Sequence, residues 1–89
     1  MINRTIKIQN KLGLHARSAS AFVRTVSAFA SNVTVVNEYA TANGKSIMSM
    51  MLLQASQGTQ IELHVDGEDE KETLDAVVSL INDKFGEEE

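Results

Sequence analysis

Apolar and polar residues alternate along three short segments of the chain, residues 5–9, 33–35 and 61–65. Because successive side chains of a strand point to opposite faces, the alternation predicts three strands of a sheet with one apolar and one polar face. Residues 37–43, with the sequence NEYATAN, are less regular and predict a short edge strand after a turn near Asn37.

Two longer segments have the periodicity of amphipathic helices. Over residues 16–30, apolar side chains recur every three or four residues, and Arg17 and Arg24 fall together on the exposed side. A second helix near the end of the chain has an apolar stripe made of Leu74, Val77, Val78, Ile81 and Phe85. Acidic residues occupy its first turns, where they complement the helix dipole. The last four residues, GEEE, are predicted to fray.

Residues 46–53, SIMSMMLL, form a short segment with almost no polar side chains. In a helix these side chains would point in nearly all directions, so we expect one side to be buried and the other to be offered to a partner. Ile47, Met48 and Met51 are the candidates for the centre of a docking surface, because methionine adapts to more than one partner. The alternative is that they belong to the core. Ser46 is placed to cap this helix, a role worth about 1 kcal/mol.

The element order is therefore β-α-β-β-α-β-α, in a single domain over residues 1–89. This order predicts an α+β fold with a four-stranded, mainly antiparallel sheet and helices on its apolar face. The chain has 43% hydrophobic but only 4% aromatic residues, so the core must be aliphatic. It has no cysteine, which excludes disulfides and thiolate metal sites.

Composition also indicates where the protein acts and what it binds. No apolar run approaches the roughly 20 residues of a membrane span, and the first ten residues lack the apolar segment of a signal peptide, so we expect a cytoplasmic protein without membrane insertion.

The net charge of −4 argues against general nucleic-acid binding. Residues 1–50 hold six basic residues and one acid, whereas residues 51–89 hold two basic residues and eleven acids. A face drawn from the first half would attract acidic partners or phosphate.

The stretch GLHARS, residues 13–18, places His15 immediately before the first predicted helix. Unpaired N–H groups at the amino end of a helix bind anions, so a phosphoryl group on this histidine would lie among them. The amides concerned are those of Ala16, Arg17 and Ser18. The Arg17 guanidinium can add a charge-assisted contact to the phosphoryl oxygens, and a neutral imidazole has the lone pair needed to attack phosphorus. Chemistry alone leaves open that His15 only caps the helix.

No other constellation of residues points to catalysis. His64 falls on the polar face of the strand at residues 61–65, and we expect it to be a surface residue. No second histidine lies near His15, so no metal site is predicted. The chain shows no Ser-His-Asp order and no nucleophile elbow, so hydrolase chemistry finds no support.

The residues GLHAR at 13–17 resemble the active-site signature of HPr, the histidine-containing phosphocarrier family of the bacterial phosphoenolpyruvate-dependent phosphotransferase system. KSIMSMM at 45–51 is similar to the second signature of that family, around its regulatory serine. The likeness extends over essentially the whole chain, with both motifs in register. It implies an open-faced β-sandwich, in which three helices cover one side of four antiparallel strands.

The resemblance also implies a function. His15 would accept a phosphoryl group through Nδ1 from phosphorylated enzyme I and pass it to an enzyme IIA domain in sugar uptake and its regulation, with Arg17 stabilising the phosphohistidine. The chain would be a phosphoryl carrier rather than a free-standing turnover catalyst, with no cofactor. Ser46 matches the serine that HPr kinase/phosphorylase modifies. Since one face must bind and release two partners, we expect modest interfaces, with Arg24 beside the apolar centre, and a monomer.

This chain has Ser18 where the family most often has proline. Proline would fix the backbone at the start of the helix, whereas serine restores an N–H and adds a hydroxyl. Either group is a candidate to reach the phosphate, and a looser helix start is the alternative.

Three other functions stay open at this point. The first is a carrier of the nitrogen-related regulatory branch, because NKLGLHAR and NDKF are also similar to its members. The second is a non-catalytic docking module that uses residues 46–53 and is switched at Ser46, although the presence of His15 weighs against it. An RNA-binding module of ferredoxin-like shape is disfavoured by the acid excess and the scarcity of aromatic residues.

Overall fold

The computed structural model describes residues 1–87 and contains a single four-stranded sheet. Its strands are β1 (Ile2–Lys7), β2 (Asn32–Val36), β3 (Thr41–Asn43) and β4 (Gln60–Asp66). Their order across the sheet is β1-β4-β2-β3, and all three pairings are antiparallel. The strand β4 is therefore paired on both sides, while β1 and β3 form the two edges.

Three helices complete the fold, namely α1 (Ala16–Ser27), α2 (Ile47–Met51) and α3 (Glu70–Asn82), and a 3₁₀ turn at Lys84–Gly86 follows α3. The predicted element order and the predicted α+β open-faced sandwich are both confirmed. In residues 1–87, no helix is both long enough and apolar enough to cross a bilayer.

The core is aliphatic, as the composition predicts, and lies between the helices and one face of the sheet. It includes Ala19, Phe22 and Val26 of α1, Val33 and Val35 of β2, Ile61, Leu63 and Val65 of β4, and Leu74, Val77 and Ile81 of α3. Burying one such large apolar side chain stabilises the fold by about 1.5–3 kcal/mol. Within residues 1–87, no helix covers the opposite face of the sheet, which carries the half-buried His64, hydrogen-bonded to Glu62.

Several boundaries differ from the prediction: β1 ends at Lys7 rather than residue 9, β3 begins at Thr41, and α3 ends at Asn82, so Phe85 lies in the 3₁₀ turn and not on the helical stripe predicted for it. Two further differences, at the start of β1 and the end of α1, have a long-range cause. The strand β1 begins at Ile2 rather than residue 5, because Ile2 pairs with Val65 and the length of β4 provides a partner for every residue of β1. The helix α1 ends at Ser27 rather than residue 30. The chain beyond it is held in a turn by hydrogen bonds to the residue that precedes α3.

Asp69, the residue before α3, makes those hydrogen bonds. Its carboxylate accepts the Ala30 N–H at 2.9 Å, the Ser31 N–H at 2.9 Å and the Ser31 hydroxyl. The hydrogen bond from the Ser31 hydroxyl, together with those from the two amides, lowers the pKa of Asp69 from 3.8 to about 2. The contact joins the end of α1 to the start of α3.

Because the pKa of Asp69 is lower in the folded than in the unfolded chain, its stabilising contribution is present above pH 3.8 and is lost as the pH falls toward 2. We expect Asp69→Asn to lower the free energy of unfolding at neutral pH and to flatten its dependence on pH between about 4 and 2. Urea unfolding of both proteins across this range measures the effect. Asp75→Asn, on the exposed side of α3, is the control. An Asp69→Asn protein with the wild-type pH slope would contradict the assignment.

Candidate phosphoryl-transfer site

A tight turn at Gly13 brings the chain to the amino end of α1. Gly13 has a φ of +69°, and a Cβ atom there would lie 2.4 Å from the carbonyl oxygen of Ala55. The next residue, Leu14, donates its N–H to the same oxygen at 2.8 Å. Only glycine combines this backbone conformation with so close an approach. The turn therefore fixes the position of His15 relative to the segment after α2.

His15 is the N-cap of α1, as the sequence predicts. Its backbone is extended, with φ −130° and ψ −177°, and its carbonyl accepts the first helical hydrogen bond from Ala19 at 2.8 Å. The ring nitrogen Nδ1 lies 3.3 Å from the Arg17 N and accepts its hydrogen. The imidazole side chain is 31% exposed. A nitrogen lone pair is thus directed at the anion-binding end of a helix while the ring stays accessible to solvent.

Ser18 closes a capping box at this helix start. Its hydroxyl is fully buried, accepts the His15 N–H at 2.9 Å and donates to the Gly13 carbonyl at 2.9 Å. The hydroxyl is therefore committed to the backbone, and the expectation that it reaches a phosphate does not fit this arrangement. The alternative of a looser helix start does not fit either, since serine holds the turn closed. Of Ser18, only the backbone N–H stays a candidate phosphate ligand.

The two arginines of α1 are both exposed, which agrees with their predicted position on one stripe. Arg17 belongs to the first turn of the helix and Arg24 to the last. Neither cation is buried in the fold, so both are accessible to an anionic ligand or an acidic partner.

Glu87 is a residue of the site that the sequence analysis missed. Its Oε2 lies 2.7 Å from His15 Nε2, and its Oε1 accepts a hydrogen bond of 2.7 Å from the Asn10 side chain. The prediction that GEEE frays is wrong for Gly86 and Glu87, while residues 88 and 89 lie outside the described residues. The sequence did contain one indication that this end is ordered: Phe85, an apolar residue two positions before Glu87, can anchor it to the core.

The electrostatics of Glu87 reflect two opposing effects. Desolvation by burial raises the pKa of this carboxyl. Hydrogen bonds from Asn10 and His15, the positive charge of Arg17 and, when the ring is protonated, that of His15 lower it by more, so the pKa of Glu87 is below its usual value of 4.5. The carboxylate is therefore ionised at neutral pH.

The helix α2 divides its apolar side chains between the core and solvent. Met50 is completely buried, as is Leu53 just after the helix, whereas Met48 is 80%, Met51 43% and Ile47 40% exposed. The three predicted docking residues are thus accessible, and the open question of core or surface is decided for each of them. Leu52, directly after the helix, is 65% exposed and was not among the predicted docking residues; Met1, Leu12 and Tyr39 are exposed apolar residues elsewhere in the fold.

Ser46 caps α2, as predicted, and its hydroxyl accepts the Ser49 N–H at 3.2 Å.

The helices α1 and α2 pack against each other. We call the exposed side chains of Ile47, Met48, Met51 and Leu52 the α2 surface. The α2 surface therefore lies on the neighbour of α1, the helix that His15 caps.

Residues 2–83 match the sequence model of the family described as "PTS HPr component phosphorylation site". The chain belongs to the HPr family of phosphocarrier proteins. The phosphocarrier protein HPr of Neisseria meningitidis serogroup B is 51% identical over 89 residues, which is the whole of both chains. HPr of Xylella fastidiosa strain Temecula1 is 44% identical over 88 residues, or 99% of each chain.

Solved HPr structures agree with the fold. HPr of Thermoanaerobacter tengcongensis superposes with a TM-score of 0.94 at 48% identity, covering all of both chains. A second structure from that organism, described as an HPr dimer, has a TM-score of 0.77 and covers 98% of this chain and all of its own. The dimer is a property of that protein, and the monomeric state of this HPr family member stays a prediction.

We expect Ser18→Ala to lower the free energy of unfolding by about 1–2 kcal/mol, because it removes half of the capping box, leaves the His15 N–H without its partner and removes one of the two donors to the Gly13 carbonyl. Urea unfolding is the measurement. Ser27→Ala, at the exposed last residue of the same helix, is the matched control and should stay within about 0.5 kcal/mol of wild type. Equal effects of the two substitutions would contradict the capping role of Ser18.

Proposed function

We propose that this HPr family member carries a phosphoryl group on Nδ1 of His15 from phosphorylated enzyme I to an enzyme IIA domain of the phosphotransferase system. The observation that supports this proposal best is the place of the imidazole. It caps α1 with Nδ1 directed at the helix amides, and the ring is partly exposed. The same nitrogen is thus both a nucleophile and a neighbour of an anion-binding site.

In the transfer, the lone pair of Nδ1 forms the bond to phosphorus while the bond between phosphorus and the donor breaks and leaves its electron pair on the donor. The transition state spreads negative charge over the phosphoryl oxygens. The N–H groups of Ala16, Arg17 and Ser18 at the positive end of α1 stabilise that charge. The exposed Arg17 guanidinium adds a charge-assisted contact. The reverse sequence of bonds transfers the group to the IIA domain.

The partners dock on the α2 surface and on the exposed side of the neighbouring α1, which carries Arg17 and Arg24. Exposed apolar side chains supply the buried centre of such an interface, and arginines supply a cationic rim that suits acidic partners. Met48 and Met51 can repack against different surfaces, which suits a carrier that binds two proteins in turn. Short-lived complexes of modest area let the carrier exchange partners.

Incubation with enzyme I, magnesium and phosphoenolpyruvate should add one acid-labile phosphoryl group per chain. His15→Asn should abolish the labelling, because asparagine retains the N-cap but has no nucleophilic ring nitrogen. His64→Ala, on the open face of the sheet, should label as wild type does. Intact-protein mass spectrometry at neutral and acidic pH measures the adduct.

Labelling that persists in His15→Asn would overturn the proposal. The onward step is tested by adding IIA domains of the sugar branch and of the nitrogen-related branch separately and following loss of the label. Preferential transfer to the nitrogen-related domain would replace sugar uptake by that regulatory role.

We further propose that Ser46 is a phosphorylation site that controls docking. Its hydroxyl is half-buried at the start of α2, directly before the α2 surface. A phosphate there would add about −1.5 to −2 charges. That charge is compatible with the amino end of a helix and repels acidic partners from the α2 surface.

Ser46→Asp should slow phosphorylation of His15 by enzyme I about tenfold, since it places an acid at the docking face. Ser79→Asp introduces the same charge on an exposed position of α3 and should have little effect. Initial rates at several enzyme I concentrations separate weaker docking from slower chemistry. If Ser46→Asp and Ser79→Asp behave alike, Ser46 does not control docking.

A further inference from the structure

The chain after α3 folds back onto the loop that precedes α1. Lys84 and Phe85 both adopt left-handed backbone conformations, with φ of 56° and 57°, a conformation that residues other than glycine seldom adopt. Phe85 is 8% exposed and joins the core. Its burial offsets the cost of the two unfavourable conformations and directs the following residues toward the site.

Glu87 reaches the site through two hydrogen bonds, one from each carboxylate oxygen. One joins Oε2 to His15 Nε2 and the other joins Oε1 to Asn10 Nδ2, both at 2.7 Å. The Glu87 side chain is 11% exposed. The carboxylate is thus held on two sides and is largely shielded from water.

Asn10 is itself fully buried and well fixed. Its Nδ2 also donates to the Gly13 carbonyl at 2.8 Å, so Asn10 links the Glu87 carboxylate to the turn before His15. Among the described residues, Oδ1 of Asn10 has no hydrogen-bond partner, so the two acceptors at Nδ2 determine how the amide is oriented. Glu87 is one of these two acceptors.

The two nitrogens of His15 therefore face different environments. Nδ1 accepts a hydrogen bond from a backbone N–H and so carries no proton. Nε2 keeps its proton and donates a hydrogen bond to the Glu87 carboxylate. A neutral imidazole has one proton to place, and both contacts favour the same tautomer. Glu87 lies at Nε2, so it does not occupy the position that a phosphoryl group on Nδ1 would take.

We propose that Glu87 is a positioning residue for phosphoryl transfer, which fixes the His15 tautomer with its proton on Nε2 and the reactive lone pair on Nδ1. This inference rests on the proposed function of His15. When Nδ1 donates its lone pair to phosphorus, the Nε2 proton stays on the ring and the ring becomes cationic. The Glu87 carboxylate then stabilises that cation, as the orienting carboxylate of a catalytic triad stabilises its imidazolium. On onward transfer the Nδ1–phosphorus bond breaks and the ring returns to neutrality.

Glu87→Gln tests the proposal, because it removes the charge and one of the two acceptor oxygens while keeping the shape. We expect its phosphorylation by enzyme I to be about tenfold slower than that of wild type, the loss typical of one charge-assisted hydrogen bond. Glu72→Gln makes the same change at an exposed position of α3 and should react as wild type does.

A second measurement reports the tautomer directly. Nitrogen-15 NMR of the His15 ring, at a pH where it is neutral, should show the Nε2–H form in wild type and in Glu72→Gln. In Glu87→Gln the spectrum should shift toward a mixture of the two tautomers. The amide spectrum shows whether each variant is folded.

The two measurements separate the possible failures. If wild type reacts on His15 and Glu87→Gln matches Glu72→Gln in either its rate or its tautomer, the role of Glu87 is refuted while the carrier function stands. If wild type is not phosphorylated on His15, the proposed function fails, and the role of Glu87 in transfer fails with it.

Discussion

The hydrogen bond between the Arg17 N–H and Nδ1 of His15 is the interaction on which the site depends. It exists because Gly13 turns the chain where any other residue would collide with Ala55, and because the Ser18 hydroxyl holds the backbone of the first helical turn. The same contact determines which ring nitrogen faces the helix amides. Helix capping, normally a matter of stability alone, here also orients the ring that we propose as the nucleophile.

The local parts of this arrangement can be read from the sequence. Periodicity predicts the strands and helices, and the histidine before an amphipathic helix predicts its N-cap, because caps and periodicity depend on residues within a few positions of one another. The end of α1 and the place of Glu87 could not be predicted this way. They depend on contacts between residues 39 and 72 positions apart, of Ala30 with Asp69 and of His15 with Glu87. An acidic run at the end of a chain gives no indication that one of its carboxylates is bound.

The helix α2 illustrates a different limit. A uniformly apolar segment does not reveal which side chains face inward, because a helix of five residues is too short to show a stripe. Packing decides the matter, with Met50 buried and Met48 exposed two positions away. Ser18 is a similar case, since the sequence names a hydroxyl but only the fold shows that backbone groups occupy it.

The uncovered face of the sheet lies on the side of the molecule away from the helices and from His15. The residues discussed for transfer and docking lie on the helices or at their caps, in the segment before α1 or in the last segment, whereas the uncovered face presents polar strand residues such as Thr34 and His64. The chain contains no cysteine, so a thiol introduced at Thr34 would be unique. A fluorophore or a surface linker attached there would label or immobilise the protein and leave the imidazole of His15 accessible.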